Sequence, residues 1–133
     1  MQIRSLKPFE VEPVRQFLTA NGWEHRVGTA ENFAKLIENS QRTAVALAEK
    51  QVVGFARGIT DGISNGYLSM VVVSPEYRGK GIGRALVGHV MGGNPDITWV
   101  LRAGRDGSLG FFSKLGFTAS TVAMERQRRQ TAL

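Results

Sequence analysis

Between Arg78 and Arg84 the sequence runs Arg-Gly-Lys-Gly-Ile-Gly-Arg, with three glycines at alternate positions and three cations among them. Side chains at Gly79, Gly81 or Gly83 would stand between an oxyanion and the backbone N–H donors; glycine lets the ligand approach. Arg78, Lys80 and Arg84 add positive charge around the same point. Such a run suits a phosphate, provided that it opens a helix, where unpaired amides and the positive end of the helix dipole favour an anion. The competing reading makes the glycines a packing device and the cations a solvated face. Two familiar phosphate motifs do not fit. A Walker A loop needs Ser or Thr after Gly-Lys, and Gly79-Lys80 is followed by Gly81. A dinucleotide fingerprint needs a glycine where Arg84 stands, and about 20 residues further on, near Thr98, no acid is available for a ribose hydroxyl.

The loop needs a strand before it and a helix after it. Residues 67–73 are β-prone and stop at Ser74-Pro75, while Ile82, Ala85, Leu86 and Val90 recur at helical spacing until Gly92-Gly93-Asn94-Pro95. Residues 97–102 read as a following strand, so a parallel crossover unit is expected. Upstream, residues 43–48 and 52–59 predict an antiparallel hairpin, and Asp61-Gly62 with Asn65-Gly66 turn the chain into the next strand. A strand over 3–6 and a helix over 10–20, stopped by Asn21-Gly22, open the chain. A helix capped by Thr29 follows and presents Phe33, Leu36 and Ile37. A helix over 106–115, capped by Gly116 with Phe117 packing back, and a strand over 118–124 close it. The fold class is therefore α/β (α+β): a mixed, mostly antiparallel central sheet flanked by helices, with a central β-α-β crossover. Residues 1–125 read as one domain and 126–133 as a loosely held basic tail.

At 133 residues, 42% hydrophobic and 21% charged, the chain is sized for one globular core. It has no cysteine, which excludes disulfides, thiolate ligands, a cysteine nucleophile and a thiol-based ping-pong route. No metal cluster stands out, and His89 falls among the apolar positions of its helix, which reads as packing. The N-terminus lacks an apolar signal core and no stretch approaches the roughly 20 apolar residues of a membrane span, so a cytoplasmic protein without a membrane partner is expected. Of the net charge of +6, residues 67–133 carry most, with 9 Lys and Arg against 4 Asp and Glu. A basic half suits a phosphate ligand or nucleic acid, but aromatics are not interleaved with these cations as a single-strand binder needs. Nucleic acid is not the expected partner.

The segment from Met70 to Leu86, centred on Arg78, Gly81 and Gly83, resembles the acetyl-CoA motif of the GNAT superfamily of N-acetyltransferases. Phe111-Phe112-Ser113-Lys114-Leu115-Gly116-Phe117 looks like that family's second motif. The resemblance implies acetyl-CoA as cosubstrate, with the diphosphate on Arg78, Gly79, Lys80, Gly81, Ile82, Gly83 and Arg84. It implies that the pantetheine arm runs along Met70, Val71, Val72 and Val73, where two strands splay apart. A backbone N–H near Met70 or Val71 would then polarise the thioester carbonyl. The implied reaction is direct attack by an amine in a ternary complex, through a tetrahedral intermediate, with CoA thiolate leaving. Homodimers are common in such a family.

Two roles depart from the family pattern. Where many members carry a tyrosine that protonates the leaving thiolate, this chain has Phe112, which cannot donate a proton. Ser108, one turn earlier, is a polar cofactor contact or a helix cap. For the base, Asp61 is the first candidate, with Glu24 and His25 behind it; the competing role of Asp61 is that of a turn aspartate beside Gly62. Tyr67, Ser69 and Trp23 are candidates for the acceptor pocket. Arg57 and Arg102 could hold an acceptor carboxylate, although strand arginines usually reach solvent. The alternative to an N-acetyltransferase is a non-catalytic acyl-CoA-binding or sensing domain, which the missing tyrosine and base would suit.

Overall fold

The computed structural model describes residues 1–129, which fall into a compact unit of Met1–Arg102 and a second beginning at Ala103. The first unit is built on five strands: β1 (Gln2–Arg4), β2 (Arg42–Ala48), β3 (Gln51–Thr60), β4 (Asn65–Val73) and β5 (Thr98–Val100), side by side in that order. Neighbours pair antiparallel from β1 to β4, and β5 lies parallel to the start of β4, with Asn65 opposite Thr98 and Tyr67 opposite Val100. A parallel neighbour requires a crossover, which α4 (Ile82–Met91) supplies. The mixed sheet and its β-α-β unit are those the alternating pattern implied.

The hairpin between β2 and β3 turns at Glu49 and Lys50, with φ of 50° and 68°. Two successive left-handed residues match the twist of the flanking strands. On one face of the sheet lie α1 (Val11–Leu18), the short α2 (Glu24–Val27) and α3 (Ala30–Glu38), whose Val14, Leu18, Val27 and Phe33 meet Val45, Leu47, Phe55, Met70 and Val72 in one apolar cluster. Thr29 caps α3 by accepting the Asn32 amide at 3.1 Å. Asn21-Gly22 ends the first helical stretch as read from sequence, both residues leaving helical φ/ψ. Gly22 bends the chain at φ 90° and helix resumes as α2, too short to leave a periodic signature.

On the other face α4 sits close to β3 because that strand presents glycine there. A Cβ at Gly54 would come within 2.9 Å of Leu86 Cδ1, and one at Gly58 within 2.5 Å of Val90 Cγ1. Arg42 reaches from β2 to close the end of α4, donating to the carbonyls of Val90 (3.1 Å) and Met91 (2.8 Å), where a cation also complements the helix dipole. His89 is exposed and hydrogen-bonds Ser5 at 3.0 Å. It does not belong to the apolar stripe, which is Ile82, Leu86, Val87 and Val90.

The second unit holds α5 (Ser108–Lys114), closed as expected by Gly116 at φ 94° and by the Phe117 amide donating to the Phe112 carbonyl at 3.1 Å. The strand expected over 118–124 does not form. The Ser120 hydroxyl accepts the amides of Val122 and Ala123, which bends the chain, and Val122 and Met124 are 87% and 98% exposed. Of the tail, residues 130–133 lie outside the described residues.

Candidate active site

The run from Arg78 to Arg84 joins β4 to α4 through a short 3-10 turn, Pro75–Tyr77. Proline cannot continue the β-ladder, and the Tyr77 and Arg78 amides fold back onto the carbonyls of Ser74 and Pro75. Gly79 and Gly81 take left-handed φ of 77° and 83°, and a Cβ added to either would meet nothing within 4 Å. The packing explanation therefore does not apply to this pair: the space beside them is open, and a side chain would project into it. Gly81 is the N-cap of α4 without any side-chain cap, and the first turn closes through the Ala85 amide to the Gly81 carbonyl at 3.1 Å. By helix geometry the amides opening α4 have no intrahelical acceptor, so they present donors and positive potential to that space.

Arg78 donates its Nε to the Val73 carbonyl at 3.1 Å, and the Lys80 ammonium lies 5.3 Å from the Tyr77 ring centroid. Both side chains are exposed, as is that of Arg84. Gly83 is buried in the first turn of α4, where it fits the packing role.

Met70 is the irregular point of β4. Phe55 pairs with Val72 and Arg57 with Ser69, so Met70 and Val71 together oppose Ala56 alone. Two residues facing one make a β-bulge, and Met70 takes φ 54° to form it, a conformation rare for an unbranched side chain outside such features. The bulge turns the peptides of Met70 and Val71 out of the regular ladder. Beyond Tyr67, β4 no longer pairs with β5, so the residues from Leu68 to Val73 keep a backbone edge that β5 does not occupy. The residue type does not mark Met70 for this; only the resemblance of the segment from Met70 to Leu86 to the family motif pointed to it.

Asp61 sits in the exposed connection between β3 and β4 and accepts hydrogen bonds from the amides of Ile63 (2.8 Å), Ser64 (2.8 Å) and Asn65 (3.3 Å) and from the Ser64 hydroxyl at 2.5 Å. Its carboxyl is held well below the usual aspartate range, by the Ser64 hydroxyl first and then by the loop amides. This is the turn role that Asp61-Gly62 implied, and it leaves a weak proton acceptor. Glu24 and His25 are exposed neighbours on α2, 4.0 Å apart, and Trp23 packs beside the apolar cluster. Tyr67 and Ser69 are half-buried on β4, and Arg102 is exposed. Arg57, against the expectation for strand arginines, is buried.

Within the second unit, Phe112 is buried with its ring edge-on to Phe111 and Phe117 at centroid distances of 4.9 and 5.7 Å. The Ser108 hydroxyl donates to the Arg105 carbonyl at 2.6 Å, closing the turn that enters α5.

A family model described as Acetyltransferase (GNAT) domain matches residues 39–119, more than half of the chain. The chain belongs to the GNAT acetyltransferase family. Among curated proteins this GNAT chain is 25% identical over 107 residues to the peptidyl-lysine N-acetyltransferase YjaB of Escherichia coli (strain K12), covering 80% of this chain and 67% of that protein. Its fold is shared with the GNAT family protein SP0256 from Streptococcus pneumoniae TIGR4, at TM-score 0.78 and 24% identity over 97% of this chain and 98% of the other. It is also shared with AAC(6')-Iy, whose structure is a complex with the bisubstrate analogue CoA-S-monomethyl-acetylneamine, at TM-score 0.73 and 18% identity over 97% and 98%.

Proposed function

We propose that this GNAT protein transfers the acetyl group of acetyl-CoA to a primary amine by direct attack in a ternary complex, within a domain of residues 1–125. The carrying observation is the opening of α4. Gly79 and Gly81 leave space for an anion beside uncapped helix amides, and the diphosphate of a CoA thioester has the charge and size to use it. Arg78, Lys80, Ile82, Gly83 and Arg84 complete that contact surface. The edge of Met70, Val71, Val72 and Val73 that β5 does not occupy would receive the pantetheine amides as a neighbouring strand does, and a peptide N–H of the bulge at Met70 and Val71 would stabilise negative charge on the thioester oxygen.

An alkyl amine has a pKa near 10, so at neutral pH only on the order of one molecule in a thousand is unprotonated, and the reaction needs a route for that proton. We assign Asp61 to the loop and the amine's proton to water. Phe112 can donate nothing, so the departing thiolate takes its proton from water as well. The names of YjaB and of the AAC(6')-Iy complex refer to amine acceptors, which supports an amine here without choosing one. A cytoplasmic enzyme is the setting this reading calls for.

The test is Gly81→Glu beside Gly81→Ala, with acetyl-CoA binding followed by titration calorimetry and folding by circular dichroism. Both variants carry the strain of a left-handed Cβ, about 1–2 kcal/mol, but only glutamate sets a negative charge against the diphosphate. Gly81→Glu should weaken binding by about a hundredfold or more while remaining folded, and Gly81→Ala far less. Unchanged affinity in folded Gly81→Glu would remove the site.

A further inference from the structure

Arg57 of β3 is 8% exposed, yet it forms no ion pair with any described residue. Its Nε donates to the Ser40 hydroxyl at 2.8 Å, just after α3. Its terminal nitrogens make no hydrogen bond to a described residue, and among the described residues no buried side-chain nitrogen that is sealed from solvent lacks a partner. The terminal nitrogens therefore keep a narrow opening to solvent. Burial lowers the guanidinium pKa and the neighbouring Tyr67 raises it; no carboxylate contributes. A guanidinium desolvated this far without a counter-ion costs several kcal/mol, and an apolar residue would serve a purely structural position better.

The surroundings indicate what the missing partner is. Arg57 lies two residues along β3 from Phe55, so its side chain is on the face covered by α1 to α3. It stands opposite Thr43 on β2 and Ser69 on β4, and Ser69 immediately precedes the bulge at Met70. The half-buried hydroxyls of Tyr67 and Ser69 share this neighbourhood. A planar, forked donor flanked by neutral hydroxyls matches one carboxylate, taken in bidentate fashion.

We infer that Arg57 is the specificity residue of the acceptor site and that the acceptor is a small amine carrying a carboxylate. This rests on the acetyltransferase reading proposed above. The carboxylate pairs with the terminal nitrogens of Arg57, and the amine of the same molecule reaches along β4 toward the bulge, where the thioester carbonyl would lie. The carboxylate thus supplies the counter-ion that the protein lacks.

The test uses the full chain with acetyl-CoA and matched acceptors: glycine, β-alanine and γ-aminobutyrate, each beside its carboxamide. CoA release gives kcat/KM, and calorimetric titration of the same compounds into the CoA-saturated protein gives Kd without turnover. For at least one pair the carboxylate should exceed its carboxamide by about tenfold or more in kcat/KM. Arg57→Gln should bring that ratio to near one with acetyl-CoA affinity unchanged, and Arg57→Lys, which keeps the charge but not the fork, should fall between. A role for Arg57 in tying Ser40 to the sheet would lower both members of a pair alike and leave the ratio intact. Equal kcat/KM within every pair overturns the inference in the wild-type protein alone, so it does not depend on the variants folding. A ratio that survives Arg57→Gln overturns it too. If acetyl-CoA binds and no acceptor releases CoA, the acetyltransferase reading falls. The carboxylate site is then decided by Kd: Arg57-dependent binding of the carboxylate upholds it, and equal binding of carboxylate and carboxamide ends it.

Discussion

Asp61 accepts three amides and a hydroxyl from the four residues that follow it, and every one of those bonds favours the ionised carboxylate. A carboxyl depressed so far stays charged throughout neutral pH and cannot produce the rising limb of a rate profile there. Asp61→Asn should therefore leave the position of that limb between about pH 6 and 9 unchanged in kcat/KM. A loss of the limb on this substitution would restore Asp61 as the base. The residue scale also separates the glycines of the phosphate run by cause: Gly79 and Gly81 answer a left-handed backbone with open space beside it, whereas Gly83 answers burial in the first turn of α4.

The close seat of α4 on β3 is an element-scale property with a measurable consequence. Gly58→Ala would set a methyl within 2.5 Å of Val90 Cγ1 and 3.2 Å of the Trp99 ring, an overpacking that should cost about 2 kcal/mol in urea denaturation. Gly88, on the outer side of the same helix, has open space and ordinary helical φ, so Gly88→Ala should stabilise by up to about 1 kcal/mol. Opposite signs from one chemical change would show that the contact with the sheet, rather than helix propensity, sets the position of α4. That position matters because the opening amides of α4 are where the cofactor is proposed to bind.

At the scale of the whole molecule, the N-terminal strand is tied to the entrance of α1 by Glu10, which is 5% exposed. It takes Arg4 in bidentate fashion at 2.8 and 2.6 Å and the Lys7 amide at 2.8 Å. Arg4 first, then the Lys7 amide, hold the Glu10 carboxyl below its ordinary 4.5 against the opposing effect of burial. A carboxyl lowered on folding adds stability that is fully present above its unfolded value and lost as the pH falls through the folded one. Glu10→Gln should thus cost about 2 kcal/mol at neutral pH, and the gap to the wild type should narrow in urea melts as the pH drops below about 4.

Local chemistry determined much of this protein from sequence alone. The Thr29 cap, the breaks at Pro75 and Gly92, and the glycine-cation run at the start of α4 act within a few residues and can be read from them. The meander of β2, β3 and β4 and the parallel β5 followed because sequential strands around a single crossover leave few other arrangements, whereas the place of β1 beside β2 was not read from sequence. The tertiary structure alone decided the rest. Met70 adopts its left-handed φ because β3 and β4 pair on both sides of one extra residue, and a methionine carries no mark of that. Arg57 is buried because helices cover that face of β3, and Asp61 is a loop anchor because four donors happen to converge on it. Residues 118–124 stay out of a sheet despite their composition, since a strand exists only where a neighbour supplies its hydrogen bonds.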